Sequence, residues 1–355
     1  MNYIGSKLSL LEFLEESIDK VVDKNCHIFC DLFAGTGIVG SYFKKKGYTV
    51  IANDIQYYSF VLNKQYIENH EQLKFQKLVK VLPELKNIKI ADRKNFICNY
   101  LSNLTGIKGF IFNNYCLGGT QNQEFQRQYF SDENGKRCDA IRTGIEKWKK
   151  EQLITDNEYY FLLATLIETI DKRANTASVY GAFLKKLKKT AQIPFVLKSA
   201  ELIINDQKHQ VFNEDINELA SKVEGDILYL DPPYNHRQYA TNYHLLETVA
   251  KYDNPKIYGK TGLREYENQK SLYCSRIKVK EAFKDLILKA KVKYIFLSYN
   301  NEGLMSLDDI KEIMSLKGKY GYFTKDYNRF MADRIENRDY KATKTVEYLH
   351  YVVCK

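Results

Sequence analysis

Two clusters in this 355-residue chain carry chemistry by residue type and spacing. The first is Asp231-Pro232-Pro233-Tyr234, which follows the apolar run Ile227-Leu228-Tyr229-Leu230. Only five prolines occur in the whole sequence, and two of them sit together here. Asp-Pro-Pro-aromatic arises by chance in roughly a few per thousand chains of this length. The bland alternative is a plain turn. The chemical alternative concerns a nucleobase amine, a poor nucleophile because its lone pair is delocalised into the ring. A carboxylate (Asp231) and a backbone carbonyl (Pro232) can both accept its hydrogens, draw the nitrogen toward tetrahedral geometry and aim its lone pair at a methyl. The prolines fix φ and remove backbone donors, so the local carbonyls are rigidly presented. Tyr234 can stack on a base taken out of a duplex, where the amine would otherwise be out of reach.

The second cluster is Gly35-Thr36-Gly37-Ile38-Val39-Gly40 with an acid at Asp54. Such a turn lets backbone approach a ligand closely, and the acid can accept from a ribose diol. It fits a nicotinamide dinucleotide, and it fits S-adenosylmethionine, which has the ribose but no pyrophosphate. A glycine turn that merely packs a helix on a strand is the third option. Asp31 lies just before the turn, where a carboxylate would oppose a pyrophosphate but attract the ammonium of a methionine moiety. A sulfonium methyl is already activated, so its transfer needs in-line positioning and no metal.

The elements that must position these residues are legible in part. Apolar residues at spacings of three and four from Leu8 to Val22 predict an amphipathic helix. Ile28 to Phe33 reads as a strand running into the glycine turn, Ile38 to Lys46 as a helix stopped by Gly47, and Thr49 to Ala52 as a second strand ending at Asn53-Asp54. That is a βαβ unit and predicts a parallel sheet. Between about 71 and 204 the rhythm changes to charged, helical-looking segments, notably Asp139 to Lys150 and Asp156 to Lys172, with a turn at Asp132 to Lys136. Strand-like runs resume at Gln210 to Phe212, Asp226 to Leu230 and Lys293 to Ser298, and Glu347 to Val353 reads as an edge strand. The expected class is α/β, with residues 1–70 and 205–355 as one domain and 71–204 as an inserted helical domain.

Composition narrows the partners. A hydrophobic share of 44% with 28% charged residues fits a folded globular chain. No apolar run approaches the roughly 20 residues needed to cross a bilayer, and Met1 to Lys7 has no signal-peptide pattern, so a cytoplasmic location is expected. The seven cysteines have no Cys-x-x-Cys pair and are expected as reduced, mostly buried thiols. A net charge of +10 favours a polyanionic partner. Arg127, Arg137 and Arg142 are candidates for phosphate or guanine contacts. Lys185 and Lys186, in the basic run ending at Lys189, are further candidates against the alternative of a solvated helix face. His236 and Arg237, next to the tetrad, could steer phosphates or be ordinary loop residues. His244 and Trp148 read as packing residues.

Taken in order, these motifs resemble the Dam-like, or D12, class of DNA adenine-N6 methyltransferases over nearly the whole chain. Asn2-Tyr3-Ile4-Gly5-Ser6-Lys7 is similar to that class's N-terminal motif, which implies that Tyr3 and Lys7 touch the cofactor. Asp31-Leu32-Phe33-Ala34-Gly35-Thr36-Gly37 looks like its cofactor loop, Asp54 its ribose-binding acid, and Asp215 an acid that contacts the cofactor's adenine. Asp231 to Tyr234 matches the catalytic tetrad, and Ser298-Tyr299-Asn300 resembles a motif near the target base. The resemblance implies a Rossmann-like mixed sheet, mostly parallel with its last strand antiparallel, and a target-recognition domain in the insert. It also implies S-adenosylmethionine as cofactor, base flipping in double-stranded DNA, and a monomer or weak dimer. A restriction endonuclease acting separately is a possible partner by that analogy. An RNA adenine methyltransferase, a non-catalytic nucleic-acid-binding regulator and, from the glycines alone, a dehydrogenase remain the rival readings.

Overall fold

The computed structural model describes residues 3–328 and 344–355, so Asn2 of the N-terminal motif lies outside the described residues. Seven strands form one sheet: β1 (Ile28–Asp31), β2 (Thr49–Asn53), β3 (Gln210–Phe212), β4 (Glu224–Leu230), β5 (Lys291–Asn300), β6 (Gly318–Asn328) and β7 (Lys344–Cys354). Their order is β3-β2-β1-β4-β5-β7-β6. The first five are parallel, and β7 runs antiparallel to both of its neighbours.

Burial explains the apolar runs. Both sheet faces are covered by helices, so consecutive residues of a central strand are buried in opposite directions. Cys30, Leu228, Leu230, Ile295 and Leu297 pack with helices Val279–Lys289 and Leu307–Ser315. Phe29, Ile227, Tyr229, Phe296 and Leu349 pack with helices Leu11–Asp19 and Ile38–Lys45. Each such side chain contributes about 1.5–3 kcal/mol by leaving water.

Three elements differ from the expectations of the sequence. The last strand is antiparallel as expected, but it is interior; the edge is β6, which the sequence reading missed. Leu8 to Leu10 is a 3-10 turn, and the α-helix runs only Leu11–Asp19. The supposed turn Asp132 to Lys136 is the start of helix Asp132–Lys150, because Ser131 accepts from the Asn134 N–H and two acids occupy the first turn. Glycine at 135 costs the helix some stability but lets Cys116 approach, because a Cβ there would stand 2.1 Å from Cys116 Sγ.

Contacts divide the chain into two units. One comprises 3–63, 206–240 and 267–355 and contains the sheet; the other comprises 64–205 and 241–266 and is mainly helical. The helical unit thus begins before residue 71 and takes in Thr241 to Tyr266, beyond the 71–204 expected from sequence. Six of the seven cysteines are buried, and Cys354 is half-buried. Among the described residues no helix is long and apolar enough to cross a membrane.

Candidate active site

Because β1 to β5 are parallel, their carboxyl ends fall on one edge of the sheet, where ligands bind in open α/β sheets. Asp31 closes β1. The turn after it is pinned by backbone: the Gly37 N–H donates to the Ala34 carbonyl (2.8 Å) and the Ala34 N–H to the Asn53 carbonyl (3.0 Å). Gly35 and Gly37 take φ of +52° and +75°, open to glycine at little cost. At Gly35 a Cβ would also stand 3.2 Å from the Tyr3 ring. Asp54, just past β2, accepts from the Gly35 and Gln56 N–H groups at 2.8 Å each. Asn53 donates to the Leu32 and Glu214 carbonyls, and Asp215 caps the short helix Ile216–Leu219.

These ends enclose an open pocket of about 960 Å³, part of it continuous with solvent. Tyr3, Lys7, Asp31, Phe33, Gly35, Asp54, Asp215, Asp231 and Pro233 line it; Gly37, Pro232 and Tyr234 do not. Gln56, Gln238 and Tyr239 line it too. Gln56, two residues past Asp54, could have been found by its position; Gln238 and Tyr239 carry no local signal.

The tetrad leaves β4 at Asp231. Lys7 Nζ sits 2.6 Å from Tyr234 Oη, 2.9 Å from Glu347 Oε1 and 3.1 Å from Asp231 Oδ1. The Tyr234 hydroxyl has Asp231 Oδ1 at 2.7 Å and Glu347 Oε1 at 2.9 Å. Asp231 Oδ1 is therefore occupied. No donor among the described residues reaches Asp231 Oδ2 or the Pro232 carbonyl. The Tyr234 ring lies 4.9 Å from that of Tyr299. Ser298 and Tyr299 are spent internally, Ser298 on the Tyr229 hydroxyl and Tyr299 on the Leu304 and Met305 N–H groups.

Burial dominates the electrostatics. Asp31 is 1% exposed; among the described residues it accepts only from the Gly40 N–H (3.1 Å) and has no partner at Oδ1. Burial, reinforced by the Asp231 charge, pushes its pKa up to about 8. Burial also raises Asp231, with Lys7 opposing and Glu347 adding to the rise. For Lys7, burial would lower the pKa, but the two carboxylates outweigh it and hold the ammonium charged.

The nucleic-acid candidates separate sharply. Arg127 and Arg142 are 5% and 2% exposed. Arg127 donates to the carbonyls of Asn114, Gly259 and Lys260, and Arg142 to those of Val249 and Ala250 and to Glu146. Both are clamps within the helical unit, which corrects the expectation that they meet phosphates. Lys185, Lys186 and Arg237 are exposed, the two lysines on a bend rather than a helix face, and Arg137 is half-buried on Asp132–Lys150. His236 is exposed. His244 is buried with Nε2 3.0 Å from the Tyr180 carbonyl, and burial lowers its pKa to about 4, so it packs.

A helix-covered parallel sheet with a glycine-turn pocket on its carboxyl edge belongs to the class of α/β proteins that bind nucleotide-like ligands. The family model described as D12 class N6 adenine-specific DNA methyltransferase matches residues 3–313. The chain is 51% identical over 352 residues to the Type II methyltransferase M.NlaIII of Neisseria lactamica, covering 99% of this chain and 98% of that protein. It is 40% identical over 355 residues to the Type II methyltransferase M.FokI of Planomicrobium okeanokoites, spanning 99% of this chain but only 52% of that protein. The Type II methyltransferase M.CviAII of Paramecium bursaria Chlorella virus 1 is 36% identical, with 94% and 93% coverage. The chain belongs to the D12 class and is an adenine-specific DNA methyltransferase.

Proposed function

We propose that the chain transfers a methyl from S-adenosylmethionine to N6 of an adenine flipped out of double-stranded DNA, with Asp231 and the Pro232 carbonyl gripping the amine. The observation that carries this is the pair of adjacent unspent acceptors, Asp231 Oδ2 and the Pro232 carbonyl, beside a pocket whose glycine turn suits a nucleoside. The pocket's leftover groups fit that cofactor. Among the described residues Asp31 Oδ1 is a buried carboxylate oxygen with no partner, suited to an ammonium, and the buried Gln56 Oε1 has none either, suited to a hydroxyl or amino donor.

When bound, the cofactor supplies an activated methyl on a sulfonium. The chain's residues do the rest. Asp54 and Asp215 are the proposed holders of ribose and adenine, with Tyr3, Lys7, Phe33, Gly35 and Gly37 shaping the cradle. Asp231 Oδ2 and the Pro232 carbonyl accept the two amine hydrogens and fix the lone pair in line. Asp231 is placed to take the proton that the amine loses on methylation. Pro233 stiffens the turn and Tyr234 offers a face for the base. The helical unit is the proposed target-recognition part, with Arg137, Lys185, Lys186 and, from the sheet unit, Arg237 as phosphate contacts. The relatives' names, which include modification methylases, support the modification half of a restriction system with a separate endonuclease.

The test is incubation with duplex DNA and methyl-labelled S-adenosylmethionine, followed by digestion to nucleosides. Label is expected in N6-methyladenine, and Asp231→Ala should lower the single-turnover rate by ~10³-fold or more with cofactor binding and folding intact. Label confined to cytosine, RNA outcompeting duplex DNA, or a fully active Asp231→Ala protein would each defeat the proposal.

A further inference from the structure

Glu347 lies on β7 opposite Asn300 of β5 and Lys325 of β6, beyond the residues the family model spans. It is 3% exposed. Taking a second carboxylate out of water beside Asp231 costs several kcal/mol before any pairing, and it sets two like charges close together. Packing does not require an acid there. Leu349, two residues along and on the same side of the strand, is a fully buried apolar side chain.

The arrangement around Glu347 says what the acid does. Without it, the Lys7 ammonium would be paired with Asp231 alone, and a tightly ion-paired carboxylate is a weaker acceptor for a neutral amine. With it, Lys7 divides its charge between two carboxylates, and Glu347 at 2.9 Å is nearer than Asp231 at 3.1 Å. The Tyr234 hydroxyl has one proton and two carboxylate acceptors within reach, so Glu347 offers it an alternative to Asp231 Oδ1. Two other titratable groups bear on Asp231: Asp31 at the end of β1 and Tyr229 on β4, the latter hydrogen-bonded to Ser298.

We infer that Glu347 is a positioning residue of the methyl-transfer site, taking up Lys7 and Tyr234 so that Asp231 keeps one carboxylate oxygen at full acceptor strength for the amine. The inference rests on the reading that Asp231 grips that amine. Nothing near residue 347 in sequence announces it. Antiparallel β7 brings the side chain back to the carboxyl edge of the parallel strands, 340 residues from Lys7 and 113 from Tyr234.

Glu347→Gln keeps the shape and removes the charge. Its single-turnover rate should fall ~10- to 100-fold while the dissociation constants for DNA and cofactor stay within about threefold. With a like charge gone, the acid limb of the rate–pH profile should move to lower pH. So should the carboxyl-carbon NMR titration of Asp231 in cofactor-free protein, assigned with Asp231→Asn. Glu347→Asp keeps the charge one methylene short, and should be slow with an unmoved midpoint. A wild-type rate in Glu347→Gln, or a slow rate that tracks lost folded protein with the Asp231 midpoint unmoved, overturns the inference. If Glu347→Gln does not fold, Glu347→Asp decides alone, and a wild-type rate there overturns it. Failure of the underlying reading looks different: Asp231→Ala would then stay active whatever Glu347 does.

Discussion

Asp139 in the helical unit and Asp31 in the sheet unit are both buried, at 0% and 1% exposure, yet they are solvated by the protein in opposite ways. Asp139 accepts four hydrogen bonds, from the Gly109, Ile111 and Phe112 N–H groups and the Tyr252 hydroxyl, at 2.7–3.0 Å. Asp31, which lines the pocket, accepts one, and its other oxygen has no donor among the described residues. A buried carboxylate whose lone pairs are used is part of the fold. One left short of donors is costly to the fold, and it persists where a ligand supplies what the protein withholds. Arg142 and Asp231 repeat the contrast, Arg142 spending its donors on carbonyls and Asp231 keeping Oδ2 open.

Two isosteric substitutions can break that contrast. Asp139→Asn turns one acceptor into a donor that faces N–H groups, and should destabilise the protein by about 3 kcal/mol, read by chemical denaturation. Asp31→Asn should cost no stability, but should weaken S-adenosylmethionine binding ~10- to 100-fold by calorimetry, the value of a charge-assisted hydrogen bond. Equal stability losses in the two variants would dissolve the distinction.

The pH dependence sharpens it. With its pKa raised from 3.8 to about 8, native Asp31 holds a proton that the unfolded chain has lost across that window. Its contribution to stability therefore declines as pH rises from about 4 to about 8 and is level above, since the native state binds more protons. Cofactor binding has the opposite slope, because the ammonium selects the ionised carboxylate. Affinity should rise with pH up to about 8 in the wild-type protein, and Asp31→Asn should lack that rise. A pH-independent affinity in the wild-type protein would remove the ammonium from Asp31.

What could be read from sequence was what is local. Asp31, Asp54 and Asp231 each end an apolar run, so strand ends and pocket walls were visible together, and the paired prolines marked the tetrad. What escaped was set by distant contacts. Residues Thr241 to Tyr266 join the helical unit through carbonyls at 249, 250, 259 and 260 that Arg142 and Arg127 bind, which no spacing rule reports. β6 was missed, and β7 is interior because β6 pairs along its far side. Glu347 acquires its role only when that antiparallel strand closes against Lys7 and Tyr234. Arginine type alone likewise says nothing about burial, which is why Arg127 and Arg142 stood beside Lys185 and Lys186 as equals.

The smallest effect expected is at those lysines, and it separates the two kinds of cation. Lys185 and Lys186 are exposed, so Lys185→Ala with Lys186→Ala should change stability by no more than about 0.5 kcal/mol. If each neutralises a phosphate, the slope of log affinity against log salt for duplex DNA should become shallower by up to about two, with base preference unchanged. Arg142→Ala should do the reverse, costing about 3 kcal/mol of stability because it strands the Val249 and Ala250 carbonyls, with no change in salt slope for the protein that stays folded. A lysine variant whose salt slope matches the wild-type protein would take the DNA from Lys185 and Lys186. It would leave Asp231 and Asp31 untouched, because their assignment rests on spare acceptors at the sheet edge and not on the basic surface of the helical unit.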